Sequence, residues 1–359
     1  MSEATGKKRI EWIDAMRGFT MILVVANHVQ ILSFRQAFSW SSTMPLLTLF
    51  RMPLFFFISG FLVYKASTVW SFGNFTKLVG KKVRIQIIPT IVFFCVALML
   101  FHPRTMGSSC MEWLHSPVKG GYWFTIALLY MFIIYYIFEF IEHRFKTLTF
   151  LPICILWLIS IGVYATCYMP SYFEWADGRK VAYSGWLNDT SLIQAMKYFH
   201  FFIYGNIVHR YWDKVEKLYD RKGFILAIIV LATFASIEYL KLHYLHHQWA
   251  LITKTFAMYS LMTIVFLTFR YYQEHFTKQT WVGRSLQYVG TRTLDVYLMH
   301  YLFLPTLPMI GDFFDAHRHN FTIEIALALI IAFLVIGLCL VTSNILRISP
   351  FLKKYIFGR

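Results

Sequence analysis

Charge is what this sequence has least of. Asp, Glu, Lys and Arg make up 14% of its 359 residues, where a soluble chain carries about 25%. Acidic side chains are the scarcer sign, 18 against 34 lysines and arginines. Long polar connections are lacking too: the loops are too short to house a soluble domain, and there is no low-complexity linker and no internal repeat. These absences exclude a soluble enzyme and a protein with a separate extramembranous domain. What is abundant is apolar, 58% hydrophobic and 19% aromatic. Apolar runs of about 20 residues, the length that crosses a hydrocarbon core, recur along the whole chain. The expectation is an all-α, polytopic integral membrane protein forming one membrane-embedded domain over 1–359.

The runs place about ten spans, near 12–34, 44–64, 86–101, 122–141, 150–169, 192–209, 223–242, 250–269, 286–306 and 322–345. The first follows "GKKRIEW" and has no small-residue cleavage site after it, so it reads as a permanent helix rather than a signal peptide. An even number of spans puts both termini on one side. Basic residues between the spans favour that side by roughly three to one, which makes it the cytoplasm. The net charge of +16 is thus a topology and membrane-surface signal. Its dispersal over short segments argues against nucleic-acid binding.

The five cysteines add little: Cys95, Cys154 and Cys339 lie in spans, and Cys110 and Cys167 read as free thiols on the outer side. "HYLHH" at 243–247 lacks carboxylate or cysteine company and reads as an interfacial histidine cluster, so no metal site is expected.

The first span, "EWIDAMRGFTMILVVANHVQILSF", carries Asp14, Arg17, Asn27 and His28 in an otherwise oily run. A charge near the centre of a membrane helix costs on the order of 3 kcal/mol. At about 100° per residue, the step from Arg17 to His28 returns to the same face, and Asp14 shares it. The axial rise between Arg17 and His28 is about 16 Å, so Arg17 belongs near the cytoplasmic interface and His28 near mid-membrane. Asp14 and Arg17 read either as an interfacial ion pair or as functional groups; His28 reads as functional.

Three further segments stand out. "FRMPLFFFISGFLVYK" at 50–65 holds Pro53 within a span and Ser59–Gly60, which allows a close helix approach. "KKVRIQIIP" at 81–89 sets Lys81 and Arg84 three residues apart beside Lys82. "GTRTLDVYLMHYLFLP" at 290–305 again puts Arg292, Asp295 and His300 in an apolar run.

Together these segments resemble the membrane-bound acyltransferase family 3. Its Arg–ten residues–His pattern is met by Arg17 and His28, its P-x-F-F-x-x-S-G-F helix by "PLFFFISGF", and its R-x-x-R pair by "KKVR", with Lys81 in place of the first Arg. "YWFTIALLY" at 122–130, "FHFFIYGNIV" at 199–208 and "GTRTLDVYLMH" ending at His300 extend the resemblance over nearly the whole chain. The resemblance implies transfer of an acyl group, usually acetyl from acetyl-CoA, to a hydroxyl of a carbohydrate, surface polysaccharide or glycolipid, in a bacterial cell membrane. Some relatives transfer succinyl instead.

The residue chemistry agrees with that implication. Coenzyme A is a cytosolic polyanion, and Arg17, Lys81, Lys82 and Arg84 are cations on the cytoplasmic side. Arginine meets phosphate with paired hydrogen bonds, which the Lys81 replacement lacks. Neutral imidazole suits His28 to take a proton from a sugar hydroxyl near pH 7. Asn27 or a backbone amide could steady the oxyanion. Asp14 and His300 complete the candidate catalytic set, with His300 a second acid–base group, an orienting partner or a packing residue. Direct transfer is preferred to an acetyl-histidine intermediate.

Two other classes compete. A transporter or flippase of a lipid-linked glycan would also place charge at mid-membrane, but no repeated pair of Gly/Pro-broken helices appears in matching halves. A glycan polymerase or ligase often carries a large outer loop, and no loop here is that long.

Overall fold

The computed structural model describes residues 10–36, 41–145, 149–167, 186–242, 248–317 and 320–357. The histidine cluster at 243–247 therefore lies outside the described residues, as do Lys7, Lys8 and Arg9 of the N-terminal basic run. Helices make up the regular structure, and no strand occurs among the described residues. Among the described residues, seven helices are long and apolar enough to cross a membrane: Glu11–Ser33, Met44–Val63, Phe72–Phe101, Trp123–Phe145, Lys222–Lys241, Trp249–Tyr271 and Phe321–Leu346. All five cysteines are free.

The other three expected spans differ from simple membrane helices. Phe150–Thr166 is apolar but short, at 17 residues. Leu192–Arg210 is 19 residues long, yet Lys197, His200 and Asn206 make it less apolar than its neighbours, and most of its side chains are buried. The expected span at 286–306 is broken. Trp281–Thr291 and Thr293–Phe303 are separate helices because Arg292 leaves the helical region, at φ −119° and ψ 21°. The third expected span starts earlier than its apolar run. Its helix begins at Phe72 and passes through a π turn at Val83–Ile87, so Lys81, Lys82 and Arg84 all stand on helix. The expected loop near 102–121 also contains a helix, Met106–His115.

The chain forms two compact units. One comprises Met1–Arg51 with Ser260–Val341, the other Met52–Tyr259 with Thr342–Arg359. Each is organised around a glycine crossing.

In the first unit, Gly18 of the opening helix and Gly290 of Trp281–Thr291 face each other's backbones. A Cβ on Gly18 would strike the Leu286 carbonyl, and one on Gly290 would strike the Asp14 carbonyl. With no side chain at either point, the two helices approach to backbone contact, the small-residue packing that membrane helices favour. Aromatic pairs extend the seam: Trp12 meets Phe266 at 5.2 Å between ring centroids, and Phe19 meets Phe269 at 5.5 Å.

In the second unit, Gly60 faces Phe202 and Gly205 faces Phe57, again backbone on glycine. The close approach expected at Ser59–Gly60 is thus present, and its partner is Gly205. The helix Met44–Val63 continues through Pro53. Around this crossing Phe202 packs edge-on to Phe132 at 5.4 Å, and Phe56 stacks with Tyr198 at 5.1 Å. Arg210 closes the same unit by ion-pairing with two buried carboxylates, Glu142 at 2.8 Å and Glu139 at 3.3 Å.

Candidate active site

The glycine crossing of the first unit brings charged groups together at the start of the opening helix. Asp14 pairs with Arg17, Oδ1 to Nη1 at 3.5 Å, one helical turn apart. Arg17 also donates from Nη2 to the Thr293 hydroxyl at 3.0 Å, which the break at Arg292 sets at the head of a new helix. The Arg292 guanidinium lies over the Tyr288 ring, 4.1 Å from its centroid. Arg17 keeps 29% of its side-chain surface exposed, while Asp14 is largely buried.

The other end of the helix holds the histidines. His28 is the last residue before a π turn, Val29–Ser33. Its Nδ1 lies 2.8 Å from Nε2 of His300, and the two rings are nearly parallel, with an interplanar angle of 10° and centroids 5.0 Å apart. Tyr301 flanks both rings, with centroids 5.2 Å from His28 and 4.0 Å from His300.

Hydrogen-bond accounting assigns the tautomers. His300 Nδ1 lies 2.8 Å from the Tyr297 carbonyl and 3.1 Å from the Val296 carbonyl. Carbonyl oxygens only accept, so Nδ1 of His300 carries the hydrogen. In the neutral ring its Nε2 is then an acceptor, and His28 must donate to it from Nδ1–H. The lone pair of His28 is left on Nε2. A chain of two bonds, running from backbone to His300 to His28, thus orients a base. His300 is fully buried; His28 keeps part of its surface open.

Of the candidates read from the sequence, Asp14, Arg17, His28 and His300 all belong to this unit. They form two groups, because Asp14 and His28 are separated by about 21 Å along one helix. Asp14 therefore stands apart from the histidine pair and is the ion-pair partner of Arg17. Lys81, Lys82 and Arg84 belong to the second unit. There Lys81 and Arg84 are exposed, while the Lys82 ammonium lies over the Phe132 ring at 3.4 Å from its centroid. Lys82 is thus engaged by an aromatic face.

Sequence reasoning passed over three residues. Thr293 gives no signal without its tertiary neighbour. Tyr301 follows His300 directly but reads as one more aromatic in an apolar run. Arg51 lies close enough to His28 for direct electrostatic interaction. A charge within an oily span, the signal that singled out Arg17, also marks Arg51.

A family model described as an acyltransferase domain matches residues 10–344. The chain belongs to acyltransferase family 3. No curated protein and no solved structure matches it. The family match spans both helical units, and with the seven apolar helices it makes the chain a multi-pass membrane acyltransferase. In such an enzyme, a histidine with one nitrogen held by hydrogen bonds and the other carrying a lone pair is equipped as a general base.

Proposed function

We propose that this acyltransferase moves an acetyl group from cytosolic acetyl-CoA to a hydroxyl of a carbohydrate, in a cell-surface polysaccharide or a glycolipid. Its setting is the cell membrane of a bacterium, with both chain termini in the cytoplasm. The observation that carries the reading is the His28–His300 pair. His300 is pinned to backbone carbonyls and accepts from His28, so the Nε2 lone pair of His28 is available to a hydroxyl.

In this reading His28 Nε2 takes the acceptor's hydroxyl proton as the oxygen bonds to the thioester carbonyl carbon. The tetrahedral species then collapses with cleavage of the carbon–sulfur bond. The imidazolium returns its proton to the departing sulfur, and the products are an O-acetyl ester and free coenzyme A. His300 transfers no proton; by accepting the Nδ1–H bond it stabilises the imidazolium as it forms. Arg51 offsets negative charge on the tetrahedral oxygen. Lys81 and Arg84, both exposed, remain the proposed contacts for the donor's phosphates. Asp14 holds Arg17 rather than acting on the acyl group.

His28→Gln tests the reading. Glutamine keeps hydrogen-bonding reach but cannot accept the proton. The variant should insert and bind acetyl-CoA normally, yet lose transfer by about 10²-fold or more, the scale for a missing general base. The measurement is radiolabelled acetyl transferred per mole of folded, detergent-purified protein. Turnover near that of the parent protein would remove His28 from the chemistry.

A further inference from the structure

Beside the histidine pair runs a row of buried side chains whose hydrogen-bonding capacity the protein itself does not use. Asn27, Gln30 and Ser33 are 0% exposed and Gln36 is 4% exposed. Both amide atoms of Asn27, both of Gln36, Oε1 of Gln30 and the Ser33 hydroxyl have no hydrogen-bond partner. Asn27, Gln30 and Ser33 recur at three-residue steps, each beside the next on the helix, and Gln36 follows the helix end. The row starts at the residue before His28 and continues through the π turn.

Its surroundings are ordered by other polar contacts. The Gln36 backbone N–H donates to the Gln30 carbonyl at 3.0 Å. Gln30 Nε2 donates to the Thr43 hydroxyl. Ser41 Oγ and the Ser42 backbone N–H donate to the fully buried Glu324 carboxylate at 3.1 and 3.0 Å. Gly311 packs against the Phe34 carbonyl and the Gln36 stem, which fixes the corner where the row ends. Buried polar groups are nearly always paired in folded proteins, and an orphaned one carries its full desolvation cost. Six orphaned atoms within ten residues call for a ligand with many donors and acceptors. An acyl chain offers none. A sugar ring presents successive hydroxyls, each of which donates and accepts.

We propose that Asn27, Gln30, Ser33 and Gln36 form the acceptor subsite and that it takes the polyhydroxylated ring of a sugar. The inference rests on the acyl-transfer reading above and deepens it. The ring is held by neutral amides and a hydroxyl, which leaves one of its hydroxyls to approach His28. The pantetheine arm of the donor also carries amides and a hydroxyl, so the test must separate acceptor from donor.

The full chain is purified in a detergent without a sugar headgroup. Binding of a panel of methyl glycosides (glucoside, galactoside, mannoside, rhamnoside and N-acetylglucosaminide) and of acetyl-CoA is measured for the parent protein, Asn27→Leu and Gln36→Met. At least one glycoside should bind the parent and bind each variant about tenfold or more weakly, the loss expected from removing paired hydrogen bonds. Acetyl-CoA affinity should stay within about twofold, since the donor site is untouched. The melting temperature should hold or rise, because an apolar group of similar shape relieves an orphaned amide. Glycoside binding unchanged in both variants, no glycoside bound by the parent, or weakened acetyl-CoA binding instead would each overturn the subsite; the first means that the row holds buried water alone. None of these results bears on His28, and full transfer by His28→Gln would sink the acyl-transfer reading while leaving a measured glycoside site in place.

Discussion

Replacing His300 by alanine removes the acceptor of the His28 Nδ1–H bond, whose 2.8 Å length and partners make it a full hydrogen bond. His28 then has nothing to hold its tautomer, and a buried N–H is left unpaired at a cost of about 1–3 kcal/mol. If that energy orients the base, transfer should fall by roughly 5- to 160-fold, less than for the loss of His28 itself. His300→Gln separates orientation from proton transfer. The glutamine Oε1 reaches about as far as the imidazole Nε2 and accepts a hydrogen bond, but it does not titrate. It should restore transfer to within about tenfold of the parent. The assay is initial-rate acetyl transfer per folded molecule, with melting temperatures of all three proteins alongside. Glutamine as damaging as His28→Gln would refute the reasoning, because His300 would then carry a proton. Full activity per folded molecule in both variants would refute it differently, by making His300 a packing residue.

Other consequences follow from the two units and the topology. Gly290→Leu drives a side chain into the Asp14 carbonyl, which cannot move aside, and should lower stability by about 1–3 kcal/mol or abolish expression. Gly162→Leu is the control, since a Cβ there meets nothing, and equal melting temperatures for the two variants would contradict the crossing. Arg84→Ala should weaken acetyl-CoA binding by about 1.5–3 kcal/mol in calorimetry, while Lys81→Arg is tolerated. Lys82→Ala should instead cost about 0.5–2 kcal/mol of stability through the lost contact with Phe132; undiminished donor affinity in Arg84→Ala would assign that arginine to topology. A reporter inserted in the short helix Trp212–Tyr219 should read as cytoplasmic, and an outer reading would overturn the orientation inferred from the basic bias.

Helical class and membrane character were open to sequence reading because both depend on local composition. An apolar run of the right length must satisfy its own backbone, so Met44–Val63 and Phe321–Leu346 form helices whatever surrounds them. Residues out of place in such runs are equally legible. Asp14, Arg17, His28 and His300 were marked by the cost of burying them, and Gly60 by what a missing Cβ permits. Helix ends and interruptions were less legible. The early start at Phe72 runs through a basic, weakly apolar stretch of helix, Phe72–Lys82, and the break at Arg292 comes from a single residue's backbone angles.

Which of the marked residues meet was decided by the tertiary structure alone. His28 and His300 are 272 positions apart, and nothing local to either names the other. Their bond exists because Gly18 and Gly290 let two helices touch and because the chain turns at Arg292 into the helix that carries His300. The same geometry keeps Asp14 away from the histidine pair, since the helix that carries Asp14 and His28 also holds them about 21 Å apart. The tautomer of His28 lies one step further from the sequence. It follows from which backbone carbonyls His300 meets, and hydrogen-bond direction is a property of positions in space. Sequence determined what this chain is made of and where burial would be costly; folding determined how each costly group is satisfied.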